Sequence, residues 1–121
     1  MPRVSYVVTV YNKAPYLPYV VEGLTSQLGE FEREFIFVND GSSDGSLVVL
    51  RRLTAGLSDC RIIEQPNRGP AIALNAGLDA ARGDLIKTLD GDDMLTPRAT
   101  VALLDALHTT EAGLAFGPAD S

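Results

Sequence analysis

The chain has 121 residues, 45% of them hydrophobic and 21% charged, which supplies a core for one domain over residues 1–121 and excludes a disordered chain. A net charge of −6 with no basic cluster excludes a nucleic-acid footprint, and the lone Cys60 excludes an internal disulfide framework. No run of about 18 apolar residues encodes a membrane segment, and no small-residue cleavage site follows the opening apolar run, so a cytoplasmic location is expected, with membrane attachment of a longer protein left open.

Residues 4–10 form a nearly continuous β-branched run, the pattern of a strand buried on both faces. Residues 15–28 place Leu17, Val20, Val21, Leu24 and Leu28 at helical spacing. A second strand is predicted at 34–38, followed by the turn chemistry of Asp40-Gly41-Ser42-Ser43-Asp44-Gly45. Leu47, Leu50, Leu53 and Leu57 share one stripe of a second helix over 47–57. A third strand is predicted at 61–64. A helix over 70–81 follows, with Gly83 in the usual C-terminal glycine position, then a fourth strand at 85–89. Thr96-Pro97 reads as an N-cap with proline at the first helical position, opening a helix to about residue 110. Residues 113–116 have the pattern of a fifth strand. This alternation implies an α/β fold, a three-layer, Rossmann-like and mostly parallel sheet with helices on both faces.

The unusual polar residues collect after strands. Thr9, Tyr11 and Asn12 follow the first, Asn39 and Asp40 the second, Asn67, Arg68 and Gly69 the third, and Asp90, Asp92 and Asp93 the fourth. Right-handed crossovers put all these strand ends on one rim, where open α/β sheets bind ligands. With an assumed strand order 3-2-1-4, Asp40 and Asp90 lie on the order of 10 Å apart. That span suits a nucleoside with its diphosphate better than a single phosphate.

Leu89-Asp90-Gly91-Asp92-Asp93 is the sharpest chemical signal. Its three carboxylates repel one another unless a cation is present. Mg²⁺ commonly joins one or two carboxylates to substrate phosphates, and Gly91 is expected to let the backbone turn between them. The plainer reading is an acidic loop in which Asp93 or Thr96 caps the final helix. Ser43 or Asp44 is expected to cap the second helix. Asp40, at the strand end, is expected to accept a hydrogen bond from a ligand. Arg68 suits a phosphate or a base, or is a solvated arginine. Lys13 either approaches phosphate or is exposed. Gly77 is expected to permit close helix–sheet packing, and Asn75 is either a packing group or a ligand contact. The four tyrosines, Tyr6, Tyr11, Tyr16 and Tyr19, are expected in core and rim packing, with Tyr11 adjoining the rim. Cys60 is expected to be a small buried thiol, and His108 a surface residue near a helix C-terminus.

Taken together, Val7-Val8-Thr9-Val10-Tyr11-Asn12, Phe37-Val38-Asn39-Asp40-Gly41-Ser42-Ser43-Asp44, Asn67-Arg68-Gly69 with Asn75-Ala76-Gly77, and Gly83-Asp84 with Leu89-Asp90-Gly91-Asp92-Asp93 resemble family 2 glycosyltransferases. Four motifs in order are far more specific than any one, and they span essentially the whole chain. The resemblance implies a GT-A fold and a nucleoside diphosphate sugar donor, UDP-linked by expectation. It implies that Thr9, Tyr11 and Asn12 line the nucleoside pocket, that Asp40 contacts the base with Arg68 nearby, and that Asn75 belongs to the donor site. It further implies that Asp90 and Asp92 form the Asp-x-Asp element, holding ribose and a Mg²⁺ or Mn²⁺ ion, with Asp93 sharing that duty. Asn39 stands where many members carry aspartate, and Leu74 where many carry arginine.

Family domains usually run to about twice this length. The acceptor half and its general base are therefore expected beyond residue 121, and Asp105, Glu111 and Asp120 lie in no suitable motif. The expectation is an inverting, metal-dependent transfer in the complete enzyme, with donor binding and little or no transfer by this stretch. Self-association into a homo-oligomer through an uncovered edge or apolar face is also expected. The alternative is a non-catalytic nucleotide-binding module. A receiver-like signalling domain would need an aspartate after its third strand and a lysine after its fifth, and the chain has neither arrangement.

Overall fold

Uninterrupted β-branched and aromatic runs require cover on both faces, and two such runs become the inner strands of the sheet. The computed structural model describes residues 1–109, with side chains through residue 107. The elements are β1 (Arg3–Val10), α1 (Leu17–Thr25), β2 (Glu32–Asp40), α2 (Ser46–Thr54), β3 (Cys60–Gln65), α3 (Pro70–Ala80), β4 (Leu85–Asp90) and α4 (Ala99–Thr109). The four strands form one parallel sheet in the order β3-β2-β1-β4, the order assumed from sequence. The predicted strand at 113–116, the side chain of His108, and Glu111 and Asp120 lie outside the described residues.

Strand alternation divides the core in two. Val4, Tyr6, Val8 and Val10 of β1, with Phe35 and Phe37 of β2, meet Leu17, Val20, Val21, Leu24 and Leu50 from α1 and α2. Val7, Ile36 and Val38 face the other way, onto Ala73 and its neighbours on α3. Each large apolar side chain so buried contributes about 1.5–3 kcal/mol. Tyr6 stacks on Phe35 with ring centroids 5.6 Å apart, and its hydroxyl shares a 2.6 Å hydrogen bond with Thr100 of α4. Tyr6 is thus a core residue, whereas Tyr16 and Tyr19 are exposed.

The two-sided cover follows from handedness. The chain steps from β1 to β2 to β3 in one direction, so right-handed crossovers lay α1 and α2 on one face. It then returns past β2 and β1 to place β4, and the reversed direction puts α3 on the opposite face. Here α3 lies close to the sheet because residue 77 has no side chain. A Cβ on Gly77 would collide with Cγ1 of Val7 and lie 3.2 Å from Cγ2 of Val38.

Several helix ends differ from expectation, α1 closing at Thr25 and α2 at Thr54 rather than at 28 and 57. The chain from Lys13 to Tyr16 closes a turn, Tyr16 N–H donating to the Lys13 carbonyl at 2.9 Å, and α1 starts only at Leu17. Helix α4 starts at Ala99 rather than Pro97, and a side chain just after α1 serves its start. The Oε1 of Gln27 accepts from the N–H and hydroxyl of Thr100 at 3.0 and 2.7 Å, and its Nε2 donates to the Thr96 carbonyl at 2.6 Å. Gly83 does not close α3 in a left-handed conformation. It is a point of close approach, where a Cβ would sit 2.6 Å from Ser5 Oγ and 2.9 Å from the Arg3 carbonyl.

That approach belongs to a buried tie at the N-terminal ends of the strands. Glu34, 6% exposed, accepts from Ser5 Oγ at 2.5 Å and from Arg82 N–H at 2.9 Å, while Gly83 N–H donates to Ser5 Oγ at 2.7 Å. Burial pushes the Glu34 carboxyl up, but the Ser5 hydroxyl, the Arg82 N–H and the Arg3 guanidinium outweigh it and leave it below its ordinary value.

Gly77 yields a test of sign. Glycine-to-alanine in a helix interior ordinarily stabilises by up to about 1 kcal/mol. Here Gly77→Ala is expected to lower the urea midpoint, because overpacking costs roughly 1–3 kcal/mol. A raised midpoint would contradict the close helix–sheet contact.

Candidate functional site

The C-terminal ends of the strands frame a cleft of about 350 Å³ lined by Thr9, Val10, Tyr11, Lys13, Asp40, Asn67, Gly69, Pro70, Ala73 and Asp90. It lies at the strand ends where the chain turns back across the sheet. The loop after β1 leads to α1 on one face and the loop after β3 to α3 on the other, and divergence of that kind is why such points collect ligands. The start of α3 contributes Gly69, Pro70 and Ala73, so the electropositive end of that helix borders the cleft.

The first wall is set by hydrogen bonds between loops. Asn12 adopts a left-handed conformation, φ 52°, which asparagine tolerates better than most residues. Its side-chain oxygen accepts from Ser43 N–H at 2.8 Å and Asp44 N–H at 3.2 Å. Lys13 N–H donates to Ser46 Oγ at 3.0 Å and Ala14 N–H to Asp44 Oδ2 at 3.2 Å. The other oxygen of Asp44 accepts from the N–H of Ser46, the first residue of α2, at 2.9 Å. Gly45 holds the formal cap position, yet Asp44 serves the helix end, much as expected. Burial raises the Asp44 carboxyl, and the Ser46 hydroxyl and N–H lower it further than that, to a net value below the ordinary one.

Asp40 forms the floor. It is 4% exposed, and its carboxylate accepts from Arg68 N–H at 2.8 Å, Gln65 Nε2 at 2.9 Å and Gly69 N–H at 3.1 Å. Burial pushes this carboxyl up, but those three donors hold it below its ordinary value. Asp40 thus fixes the 67–69 loop while lining the cleft. Gly41 beside it is at φ 68°, and a Cβ there would lie 2.5 Å from Asn67 N, so only glycine lets the two loops touch.

The acidic run forms the third wall, and its carboxylates diverge. Asp93 turns back, its Oδ2 accepting from Asp90 N–H at 2.9 Å, and Asp90 Oδ1 accepts from Gly91 N–H at 2.7 Å. Asp92 accepts from Lys13 Nζ at 3.1 Å. It also lines a neighbouring apolar groove of about 330 Å³ with Tyr16, Tyr19 and Met94. Among the described residues no three acidic, histidine or cysteine groups gather closely enough to hold a metal ion alone. The three-carboxylate set Asp90, Asp92 and Asp93 is therefore not assembled as a chelate. Two hard oxygen donors, Asp90 and Asp92, remain near the cleft, which fits Mg²⁺ or Mn²⁺ completed by water and ligand phosphates. Gly91 is not in a left-handed conformation. Its need is spatial, because a Cβ would lie 2.8 Å from Cγ and 3.0 Å from Cβ of Lys13.

Of the residues singled out from sequence, Thr9, Tyr11, Lys13, Asp40, Asn67, Gly69 and Asp90 share the cleft. Asn12 stands in the adjoining loop with its amide oxygen committed to the backbone. Arg68 and Asn75 are exposed outside the cleft lining, Arg68 contributing its backbone to Asp40. Sequence reasoning missed Val10, Pro70 and Ala73 as lining residues. For the last two the signal was the glycine-proline start of α3, which marks a helix N-terminus beside the rim. Half-buried Cys60 lies at the far edge strand, where burial pushes its thiol up and leaves it a poor nucleophile.

The profile described as glycosyl transferase family 2 matches residues 5–121. The chain belongs to that family. It is 35% identical over 120 residues to the dodecaprenyl-phosphate galacturonate synthase of Rhizobium johnstonii, covering 95% of this chain and 35% of that protein. It is 37% identical over 99 residues to the chondroitin synthase of Pasteurella multocida, covering 82% of this chain and 10% of that protein. The family 2 chain thus spans about a third or less of these relatives. Among solved structures, a mannosyltransferase from Pyrobaculum calidifontis, in complex with GDP-Man and Mn²⁺, superposes with TM-score 0.74 at 30% identity, covering 84% of this chain and 30% of that one. TarS from S. aureus with bound UDP superposes with TM-score 0.76 at 23% identity, covering 88% of this chain and 33% of that one, a likeness of fold. The family 2 fold expected from the motifs is the fold observed. No helix among the described residues is long and apolar enough to cross a membrane.

The lowered carboxyls of Glu34, Asp40 and Asp44 give a pH test. Their ionised forms stabilise the fold above the ordinary carboxylate range, and that contribution is lost as pH falls through the depressed folded values. The urea midpoint is expected to hold from about pH 7 to 5 and to fall below about pH 4. Asp40→Asn is expected to cost roughly 1–3 kcal/mol at neutral pH and to fall less steeply with acid. Amide exchange at Arg68 and Gly69 should quicken in the variant, and unchanged exchange would refute the Asp40 tie.

Proposed function

We propose that the cleft binds a nucleoside diphosphate sugar and that the chain supplies the donor-binding part of an inverting, metal-dependent glycosyltransferase. One observation carries this reading: Asp40 and Asp90, from strands two apart, line a single cleft at the reversal of winding. The family membership and the named complexes of GDP-Man with Mn²⁺ and of UDP in related folds support it.

In this reading Tyr11, 44% exposed at the rim, offers a ring face to the base. Asp40 and the 67–69 loop bound the nucleoside, and the start of α3 favours the diphosphate. Asp90 and Asp92 hold the divalent ion, which when bound offsets charge developing on the diphosphate leaving group. The anomeric carbon then passes through an oxocarbenium-like state. Removal of the acceptor's proton is assigned to residues outside this stretch.

Calorimetric titration with UDP and GDP, with and without Mn²⁺, tests the proposal. One of the two is expected to bind, and Mn²⁺ to tighten it. Asp90→Asn should reduce that Mn²⁺-dependent gain roughly tenfold, the loss of one charged contact. Binding that ignores both Mn²⁺ and the substitution would overturn the metal assignment. Absence of binding by either nucleotide would overturn the donor site.

A further inference from the structure

We propose that Lys13 is a built-in counter-ion, which neutralises Asp92 while no divalent ion is present and moves to a donor phosphate once one arrives. The proposal rests on the donor-binding reading above and assigns a role to a residue that the reading does not need.

Position is the first argument. Lys13 lines the main cleft together with Asp90, whereas Asp92 does not line it and borders the neighbouring groove. The 3.1 Å contact from Lys13 Nζ to Asp92 Oδ2 is thus the link between the cleft and the second carboxylate. An ion coordinated by Asp90 and Asp92 must compete with this ammonium for the Asp92 oxygen.

Construction is the second. The backbone of Lys13 is fixed on both sides, its N–H donating to Ser46 Oγ and its carbonyl accepting from Tyr16 and Leu17 N–H at 2.9 and 3.2 Å. The first methylenes of the stem lie against Gly91, which has no side chain to push them away. The stem is therefore anchored at its root, and its tip is held by the partly exposed pair with Asp92.

Magnitude is the third. Both partners are partly exposed, 26% for Lys13 and 40% for Asp92. Pairs of that kind are weak enough to exchange for a better partner. A diphosphate offers the ammonium a more highly charged acceptor than one carboxylate, and a divalent ion offers Asp92 twice the charge of a lysine. Both exchanges run in the same direction when metal and donor arrive together.

Opposite signs in two binary titrations test the idea. Lys13→Met keeps the stem and removes the charge. It is expected to bind Mn²⁺ alone roughly two- to fivefold more tightly, because a partly exposed competitor is gone. It should bind the preferred nucleotide, UDP or GDP in the presence of EDTA, about tenfold more weakly. Lys13→Arg should restore wild-type behaviour in both titrations, and melting temperatures of both variants verify folding. Unchanged Mn²⁺ affinity in Lys13→Met, or weakening in both titrations, overturns the counter-ion role while the wild-type titrations still support donor binding. Failure of the wild-type chain to bind either probe overturns the donor reading and this proposal with it.

Discussion

Each crossover between parallel strands must be right-handed, and that requirement decides where the cleft lies. The chain winds outward from β1 to β3 and then returns to the other side of β1, so α3 covers the face that α1 and α2 leave bare. The loops after β1 and β3 therefore lead to opposite faces of the sheet, while α4 returns to the face of α1 and α2. A gap between those loops is a geometric result rather than a feature that any one residue creates. Close packing of α3 at Gly77 keeps the returning helix low enough for its first turn to border that gap.

Within this frame the carboxylates divide by what they touch. Glu34, Asp40 and Asp44 accept two or more hydrogen bonds each from backbone N–H groups and neighbouring side chains, and all three are pulled below their ordinary values. They spend their acceptor capacity on holding strands and loops in place. Asp90 and Asp92 are more exposed, one bonded to the adjacent N–H and one to the Lys13 ammonium. Their remaining lone pairs are the ones open to a ligand. Asp40 joins the two groups, since the same carboxylate that orders the 67–69 loop also lines the cleft.

The sheet was legible in the sequence because its signals are local and repeated. Continuous apolar runs at β1 and β2 and leucine stripes on α1 and α2 need no knowledge of distant neighbours. The strand-end rule also placed Thr9, Tyr11, Asp40 and Asp90 around one cleft. What sequence could not show is how side chains choose between local and distant partners. Nothing local tells that Gln27 will serve the start of α4, 73 residues away from Thr100, or that Asn12 will turn to Ser43. Asp93 illustrates the converse, for a carboxylate that counts as a metal ligand by position folds back onto the N–H of Asp90. The pattern predicts Gly83 as a helix-ending glycine and Gly91 as a turn, yet both are gaps into which another segment fits.

The fit between Gly91 and the root of the Lys13 stem couples two loops in descent. A side chain gained at 91 would lie 2.8 Å from Cγ and 3.0 Å from Cβ of Lys13, so something there must shift to accommodate it. Variation at 91 is therefore expected to be accepted best alongside a change at 13, joining a residue in the first loop to one in the fourth.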